Sequence, residues 1–500
     1  MKKVPGGFSP VIAVNRAASK PLHRQIYDGY RAAILRRNLC SGQRIPSTRT
    51  LASELGISRI PVLDAYAQLL AEGYFESRIG AGTFVSSTLP DQLTSVESHG
   101  AVPTEARDGP RPVSRRSSLL PRRTSAPWAY GWGAFSVGQL AFDHFPFQAW
   151  SALVARHCRS PRASALSYAD PMGSREFRET IAAYLRAARA VHCDASQIMI
   201  VSGSQQALDI SARVLFDPGS PVWVEEPCYQ LLRYALSLAD CRLVPVPVDG
   251  QGLDVAAAIK RCRHARAACV TPSHQFPLGA TMSASRRLQL LEWAQSSGAW
   301  IIEDDYDSEY RYQNMPIASL QGLDHHGRVI YIGTFSKTLF PSLRLGYLVI
   351  PTDLVDRFTA LRRATDLFPS HLYQAVLTDF INEGHFARHI RKMRLLYGER
   401  RSALVDALRS EFGSRLEIVG GEAGMHLVVL LPEGFCDQEI AVRAGRQNLW
   451  LWPLSTSYLG KEARQGFILG FGSVEADQMP RAVRRLRNVL TPPLNSTALT

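Results

Sequence analysis

The sequence has no long apolar run and no paired cysteines. None of its apolar stretches approaches the roughly 20 residues that a membrane-spanning helix needs. The start, MKKVPGGFSPVIAV, lacks the apolar segment of a secretory signal. The eight cysteines are scattered, and no two form a C-x-x-C pair, which is typical of reduced thiols rather than of a disulfide framework. We therefore expect a cytoplasmic protein with no membrane partner and no metal site.

Acidic residues are too few to balance the basic ones, and the imbalance is local. The formal net charge is +13, and residues 1–86 hold 12 Lys and Arg against 5 Asp and Glu. More than half of the excess therefore lies in the first sixth of the chain. This bias predicts an anionic partner for that segment. A chain of 500 residues is also long enough for two or more domains.

The basic N-terminal segment has the pattern of three helices and a hairpin. Apolar residues recur at helical spacing in KPLHRQIYDGYRAAILRRN. Ser47 and Gly56 mark the start and end of a second helix, and Ser58 and Gly73 mark those of a third. Two short strands, YFESR and TFVSS, follow around IGAG. This order predicts a winged helix-turn-helix domain over residues 17–86.

The rest of the chain divides into a linker and a large domain. Residues 87–127 are rich in Pro, Ser and Arg and have almost no periodic apolar pattern, which predicts a flexible linker. From residue 128 onward strands and helices alternate, as in QIMIVSG followed by SQQALDISARVLF. The alternation predicts an α/β domain with a mostly parallel sheet over residues 128–495.

Polar residues follow several strands of the predicted sheet, at the edge where ligands gather in α/β folds. Ser204 and Gln205 lie between a strand and a helix start, where free backbone N–H groups suit a phosphate, although many ordinary turns have the same composition. Asp304 ends a strand, which is equally typical of a helix cap or an ion pair. Tyr229 is a candidate stacking surface or a packing residue. Lys337 follows the apolar run RVIYIGTF, and a buried amine is costly unless it is paired, neutralised or covalently used.

Taken together, SKTLFPSLRLG, IIEDDYDSEY, TPSHQFPLG and YADPMG resemble the site of fold-type I pyridoxal-phosphate proteins, the aminotransferase superfamily. The resemblance runs from about residue 135 to residue 471. It implies a three-layer α/β/α fold with a small C-terminal α+β subdomain, and pyridoxal 5'-phosphate (PLP) as the cofactor. By this resemblance Lys337 forms the Schiff base with PLP, Asp304 pairs with its ring nitrogen and Arg344 binds its phosphate. The other cofactor contacts that it implies are Ser204, Gln205, Tyr229, Tyr306, Ser336 and, reaching the neighbouring subunit, Tyr168.

The segment IPSTRTLASELGISRIPVLDAYAQLLAEGYFESRIGAGTFV resembles the GntR-type winged helix over its full length. The resemblance implies that Arg49 and Arg59 contact DNA. It assigns further DNA contacts to Arg44, Ser47, Ser58 and Thr83, the last on the wing. The third helix departs from the family text, because Ile60 and Pro61 replace a polar residue and a threonine. Direct reading of bases is therefore not expected at those two positions.

A GntR-type reader joined by a linker to an aminotransferase-like domain is similar to the MocR family of bacterial transcriptional regulators. That resemblance implies promoter DNA as a partner and a head-to-tail homodimer. It also implies that the large domain senses PLP or a small amino compound. We predict a PLP-dependent regulator rather than an enzyme in vivo. The alternatives are a working aminotransferase with an accessory DNA-binding domain and a dimerisation scaffold that has lost its cofactor.

Two departures bear on the ligand. Aminotransferases place an arginine for the substrate carboxylate near the C-terminus, where this chain has Ile468 in GFILGFG. GABA-sensing relatives use another arginine shortly after the stacking tyrosine, where this chain has Leu231 and Leu232. Without these partners a carboxylate loses a charge-assisted pair, so the sequence disfavours a GABA-type effector and efficient transamination. Three arginines remain as candidate substitutes: Arg311, Arg362 and Arg464.

Overall fold

The computed structural model describes residues 12–78, 80–89, 112–114, 116–117, 120, 128, 131–159, 163–312, 318–460 and 462–490. The chain divides into two compact units, residues 1–112 and residues 113–500. Most of the predicted linker, residues 87–127, and the predicted end of the large domain, residues 491–495, lie outside the described residues. The segment boundaries therefore remain predictions.

The first unit contains the three helices and the hairpin that the sequence predicts. Ser47 caps the second helix by accepting a hydrogen bond from the backbone N–H of Thr50 at 3.2 Å, and Gly56 ends it at a φ of +63°, a conformation that favours glycine. The two strands pair antiparallel. The bounds are α1 (Leu22–Leu35), α2 (Thr48–Leu55), α3 (Arg59–Ala71), β1 (Phe75–Arg78) and β2 (Gly82–Val85).

Aromatic rings fill the centre of the first unit. Tyr30, Tyr66 and Phe75 pack edge to face, with ring centroids 5.3–5.6 Å apart. The Tyr66 hydroxyl contacts the Tyr30 hydroxyl and the carbonyl oxygen of Pro46, each at 3.0 Å. These bonds satisfy polar groups that would otherwise be buried without partners. The cluster holds α3 against α1 and the hairpin.

The second unit is a mixed α/β structure with a large central sheet. Its larger helices are α4 (Phe147–Arg159), α5 (Arg175–Arg189), α6 (Ser204–Leu215), α7 (Gln230–Leu238), α8 (Val255–Arg261), α9 (Ala284–Ser297), α10 (Leu320–Leu323), α11 (Val355–Asp366), α12 (His371–Asn382), α13 (His385–Phe412), α14 (Asp437–Gly445) and α15 (Met479–Leu490). Short 3-10 helices lie at Phe142–His144, Ala163–Leu166, Ala195–Gln197, Pro341–Leu343, Thr352–Leu354, Gly413–Arg415, Leu454–Ser457 and Ala476–Gln478.

Eight strands form the central sheet in the order β3-β10-β9-β8-β7-β4-β5-β6. The pairs β9/β8, β8/β7, β7/β4 and β4/β5 are parallel, whereas β10 runs antiparallel to both of its neighbours. The carboxyl ends of the parallel strands therefore meet at one edge. The bounds are β3 (Ile198–Val201), β4 (Pro221–Glu226), β5 (Arg242–Asp249), β6 (Gly252–Leu253), β7 (Ala267–Val270), β8 (Trp300–Asp305), β9 (Val329–Thr334) and β10 (Gly346–Val349).

A second, smaller sheet forms the C-terminal part of this unit. Four antiparallel strands lie in the order β11-β12-β14-β13. Their bounds are β11 (Glu417–Val419), β12 (His426–Leu430), β13 (Trp452–Pro453) and β14 (Gly466–Gly470). Along the chain, α14 lies between β12 and β13, and α15 follows β14. The three-layer fold with a small α+β subdomain, which the resemblance implied, is confirmed. Among the helices that the structure describes, none is long and apolar enough to cross a membrane.

Candidate functional site

Lys337 lies just beyond the carboxyl end of β9. The turn before it is fixed by Thr334, whose hydroxyl accepts a hydrogen bond from the backbone N–H of Ser336 at 3.2 Å. The Lys337 amine is so close to Gly138 that a Cβ there would lie 2.5 Å from Nζ. Burial lowers the pKa of this amine, although Asp307 and Asp304 act in the opposite direction. A lowered pKa favours the neutral amine, which is the nucleophilic form.

Asp304 stands at the end of β8 as a carboxylate without a partner. Its Oδ1 atom is buried and accepts no hydrogen bond from any described residue. Burial raises the pKa of Asp304 to about 7, aided by Asp305, Asp307 and Glu225 and opposed by Lys337. The unpaired oxygen is therefore suited to a cationic or N–H ligand.

Asp305, the next residue, has a different role. Its Oδ2 atom accepts hydrogen bonds from Arg189 Nε at 2.8 Å and from the Tyr331 hydroxyl at 2.5 Å. The Arg189–Asp305 pair is almost completely buried. Because strand neighbours point to opposite faces of a sheet, one aspartate is held in a structural ion pair while the other remains free for a ligand.

The start of α6 and Arg344 form an anion-binding corner. Gly203 precedes the helix at a φ of +94°, and Ser204 is its first residue. The Arg344 guanidinium donates to the carbonyl oxygen of Ser202. The side-chain amide of Gln205 donates to the carbonyl oxygen of Leu231 at 2.9 Å, so its free contribution here is the backbone N–H. Free N–H groups at a helix start beside an arginine suit a phosphate.

Three glycines let the backbones at this corner approach closely. A Cβ on Gly346, the first residue of β10, would lie 2.9 Å from the carbonyl oxygen of Gly333 and 3.0 Å from the Cα of Gly203. A Cβ on Gly333 would lie 2.2 Å from the Tyr347 ring. At Gly346 backbone contact therefore sets the spacing between the start of α6, the end of β9 and the start of β10, whereas at Gly333 the space is filled by the Tyr347 side chain.

A buried network around Tyr306 was not predicted from the sequence. The Tyr306 hydroxyl lies 2.9 Å from Nδ1 of His274, and the same nitrogen lies 3.1 Å from both Asp307 oxygens. The His274 ring lies 4.9 Å from that of His426, whose Nε2 is 3.0 Å from the carbonyl oxygen of Pro277. Burial lowers the pKa of His426 well below its ordinary value, with a further contribution from His274. The network fixes the orientation of Tyr306 beside Asp304.

Donor atoms of His274, Asp307 and His426 lie within 4.8 Å of one another, an arrangement that also occurs at metal sites. Here His274 Nδ1 is already shared by Tyr306 and Asp307, and His426 Nε2 faces a carbonyl oxygen, while His274 Nε2 is buried without a hydrogen-bond partner among the described residues. We therefore interpret the three side chains as a hydrogen-bond network. The sequence indicated this network only through the isolated histidine of TPSHQFPLG, which has no acidic residue or second histidine nearby in the chain.

Tyr229 borders a cavity on the Asp304 side of the sheet. Asp304, Glu225, Cys269 and Thr271 also line this cavity, and the Tyr229 ring packs edge to face on Phe276 at 5.6 Å. The pKa of Glu225 is raised to about 7 by burial, although its Oε2 accepts a hydrogen bond from the Thr271 hydroxyl at 2.7 Å. A flat aromatic wall beside the free Asp304 suits a heteroaromatic ring.

Tyr168 is not enclosed with the residues of its own site. It is 84% exposed, and its ring contacts that of Phe368 at 5.8 Å. An exposed position of this kind fits the predicted role of reaching a neighbouring subunit, which remains a prediction.

The positions at which aminotransferases bind a carboxylate are apolar here. Ile468 on β14 is fully buried and packs with Phe276, Leu278 and Val428. Leu231 on α7 uses its backbone carbonyl to hold Gln205. Burying a carboxylate against these side chains would cost free energy without a compensating pair.

The three candidate substitute arginines each have partners within the protein. Arg311 donates to the carbonyl oxygen of Ser273 at 3.1 Å. Arg362 pairs with Asp366 at 2.8 Å and donates to Gln206 at 2.6 Å. Arg464 contacts Glu417 at 3.4 Å and lies on the surface.

In the first unit, the predicted DNA contacts lie on two features. Arg44 bridges to Phe84 of the wing, and its Nε would lie 3.2 Å from a Cβ on Gly82. Thr83 lies on the same wing strand. At the other feature, Arg59 opens α3 and its Nε donates to the hydroxyl of Thr48 at 3.0 Å.

The other three predicted contacts, Ser47, Arg49 and Ser58, are exposed. Ser47 uses its hydroxyl to cap α2, while Ser58 stands at the start of α3 without a side-chain capping bond. Exposed arginine, serine and backbone N–H groups at helix starts are the groups that contact nucleic-acid phosphates. The contact roles themselves remain predictions.

Comparison with known proteins is decisive. Residues 22–85 match the gntR family of bacterial regulatory proteins, and residues 132–452 match aminotransferase class I and II. The chain is 40% identical, over 98% of both chains, to the probable rhizopine catabolism regulatory protein MocR of Rhizobium meliloti. It is 31% identical to the pyridoxine biosynthesis regulator PdxR of Corynebacterium glutamicum, over 94% of this chain and 96% of PdxR. The chain belongs to the MocR family of GntR-type transcriptional regulators.

The large unit has the fold of class I and II aminotransferases. A multiple-substrate aminotransferase from Thermococcus profundus superposes with a TM-score of 0.70 at 27% identity, covering 76% of this chain and 97% of the enzyme. PLP is the cofactor of this MocR-family chain, as the resemblance implied. The alternative of a working aminotransferase is less well supported, because the relatives that match nearly the whole chain are named as regulators.

The residues present fit PLP. The amine of Lys337 has a lowered pKa, Asp304 offers an unpaired buried oxygen and Arg344 stands beside a free helix start. When bound, PLP supplies an aldehyde that reacts with amines and a ring that withdraws electrons. Lys337 would hold the cofactor covalently, Asp304 would keep a proton on the ring nitrogen, and Arg344 with Ser204 would bind the phosphate.

We expect the purified protein to be yellow and to lose its visible absorption on treatment with sodium borohydride. Peptide mapping should place the reduced cofactor on Lys337, because its amine has a lowered pKa and lies beside Asp304. The variant Lys337→Ala should lack the absorption band, whereas Lys260→Ala, at an exposed lysine of α8, should keep it. A colourless wild-type protein that takes up no added PLP would contradict the cofactor assignment at this site.

The raised pKa of Asp304 makes the cofactor-free protein sensitive to pH. Because the folded-state pKa of about 7 exceeds the ordinary 3.8, stability is lost as pH rises between these values and stays low above pH 7. Asp304→Asn should therefore stabilise the cofactor-free protein at pH 8, by an amount on the order of a few kcal/mol, and by less at pH 5. Denaturant unfolding at both pH values measures the difference.

The matched control is Asp305→Asn. It leaves Arg189 buried without its carboxylate and should destabilise the protein at both pH values. If Asp304→Asn lowered stability at pH 8, the view of Asp304 as an unpaired carboxylate would be wrong.

Proposed function

We propose that this chain is a cytoplasmic regulator that binds promoter DNA through its winged helix and uses PLP bound at Lys337 as its sensing group. The observation that carries the proposal is the combination of an intact cofactor site with apolar carboxylate positions. Lys337, Asp304 and Arg344 supply what cofactor binding needs, while Ile468 and Leu231 remove what substrate turnover needs. Such a site can bind PLP without processing amino acids efficiently.

The effector in this proposal is PLP itself or a small amino compound. PLP is supported because Lys337, Asp304 and Arg344 offer the groups that the cofactor needs, and because the carboxylate positions are apolar. An amino compound is supported because a cofactor aldehyde reacts reversibly with amines. Two relatives carry names that connect them with small-molecule metabolism, namely rhizopine catabolism and pyridoxine biosynthesis.

We further propose a homodimer whose subunits pair head to tail. The 84% exposure of Tyr168 supports a role across a subunit boundary, since its own unit leaves the ring largely in solvent. A dimer would also present two DNA readers. Two linked readers act at a high effective concentration and therefore bind two half-sites much more tightly than one.

Transamination should be negligible beside that of a true aminotransferase. Ile468 is buried among apolar side chains, so the carboxylate of an amino donor has no charged partner at that position. Steady-state assays with common amino acids and 2-oxoglutarate measure this, with Lys337→Ala as the zero-activity control. Rapid and saturable turnover with an ordinary amino donor would identify the protein as an enzyme instead.

Arg59→Ala and Arg44→Ala should have different effects on binding to specific and to random DNA. Arg59 opens α3, the helix that enters the major groove in helix-turn-helix proteins, whereas Arg44 lies at the wing. We expect Arg59→Ala to reduce binding to a specific operator by at least tenfold and to affect random DNA little. Arg44→Ala should weaken binding to both and reduce the salt dependence of log K by about 0.9.

Fluorescence anisotropy with the two DNAs at several salt concentrations distinguishes the variants. Arg24, on α1, pairs with Asp28 at 3.5 Å and lies outside the predicted contacts, so Arg24→Ala serves as the charge-matched control. Equal losses on specific and random DNA for Arg59→Ala and Arg44→Ala would refute the division. A full-length protein that selected no site, with or without PLP, would count against the regulator itself.

A further inference from the structure

The DNA-reading helix presents apolar side chains to solvent at its first turn. Ile60 is 68% exposed and Leu63 is 42% exposed. The two residues are separated by three positions, so they lie on one face of α3. Scattered exposed apolar residues are common on proteins. This pair is unusual because it occupies the turn of α3 that carries the predicted base contacts.

The packing of α3 explains why this face is free. Val62, Ala65, Tyr66 and Leu69 are buried in the aromatic core of the first unit. Ile60 lies on the other side of the helix and, among the residues described, belongs to none of the apolar clusters. The fold therefore fixes where this side chain points without using it for stability.

The surroundings of the apolar pair are charged, with two arginines at the N-terminal side and the exposed Asp64 one turn further along α3. Arg59 precedes Ile60 and is tied to Thr48 at the start of α2, and Arg49 lies exposed on α2. Pro61 has no backbone N–H, so the first turn of α3 offers one donor fewer to a phosphate or base edge. An apolar pair with arginines at its N-terminal side fits an anionic partner that displays a small apolar group.

In the major groove of DNA that group is the C5 methyl of thymine. Cytosine carries only a hydrogen atom at the corresponding C5 position, and the other features of a base edge there are hydrogen-bond donors and acceptors. An isoleucine side chain has neither, so it can distinguish bases only by apolar contact. Ile60 in place of a polar residue therefore replaces hydrogen bonding to a base edge by apolar contact.

We propose that Ile60, supported by Leu63, reads thymine by contact with its methyl group in each half-site of the operator. This inference rests on the proposed DNA-binding function. It predicts that thymine is preferred at the position opposite the first turn of α3. It also predicts that Arg59 specifies a neighbouring base pair independently.

The test begins with selection of binding sites from randomised duplexes by the full-length protein. Each thymine of the selected site is then replaced singly by deoxyuridine, which removes only the methyl group and keeps the base-pairing edge. One replacement should weaken binding of the wild-type protein about fourfold, the effect of one methyl group transferred from apolar contact to water. Ile60→Ala should weaken binding to the thymine site and be insensitive to that same replacement.

Leu70 provides the matched control, because it is also exposed on α3, at 37%, but lies about 15 Å along the helix from Ile60. Leu70→Ala should leave affinity and the deoxyuridine effect unchanged. Circular dichroism and the visible absorption of PLP check that each variant is folded.

Three results would overturn the inference. The first is a selected site with no thymine preference opposite α3, and the second is a deoxyuridine effect that Ile60→Ala retains in full. The third is an Ile60→Ala variant that alters dimerisation while base preference stays intact, because it would assign the apolar pair to a protein partner. Failure to select any site would instead refute the proposed DNA-binding function.

Discussion

A buried carboxylate destabilises a protein unless it pairs with a cation or a hydrogen-bond donor. The large unit depends on how the three aspartates at the end of β8 are paired. Asp305 is met by Arg189 and Tyr331, and Asp307 is met by His274. Asp304 is left unpaired. The protein thus pairs Asp305 and Asp307 with neighbouring side chains, although Asp305 Oδ1 itself lacks a partner among the described residues, and leaves Asp304 as the carboxylate that would meet a protonated ring nitrogen. Lys337, whose pKa is lowered by burial, lies near enough to Asp304 and Asp307 for their charges to oppose that shift.

Much of this arrangement could be predicted because local sequence encodes it. Parallel strands place their carboxyl ends together, so the alternation of strands and helices was enough to expect Ser204, Asp304 and Lys337 at one edge of the sheet. The caps of α2, at Ser47 and Gly56, were predicted because capping depends on adjacent residues. The GntR and aminotransferase sequence motifs then indicated DNA binding and PLP binding, which periodicity alone does not indicate.

Other features depend on contacts between distant residues and left no local signal. The strand β10 is only four residues long and fully buried, so it has no alternation to reveal it, and its antiparallel insertion between β3 and β9 follows from tertiary packing. His274 and Asp307 are 33 residues apart, and only the fold shows that they orient Tyr306. On α3, Ile60 replaces a polar residue of the family motif, and the sequence suggested only that base contacts were lost there. The sequence does not specify that the Ile60 side chain is exposed.

The close approach of Gly203, Gly333 and Gly346 has a consequence for how such a protein changes over evolution. Where a side chain sets a distance, a larger or smaller one can retune it stepwise. Where two backbones touch, each step is blocked by a clash with main-chain atoms, such as the 2.9 Å from a Gly346 Cβ to the Gly333 carbonyl oxygen. A substitution at Gly346 would therefore force the main chain at the start of α6 or at the end of β9 to move. New ligand preferences in descendants of this chain must arise from the walls of the pocket, while its base stays fixed.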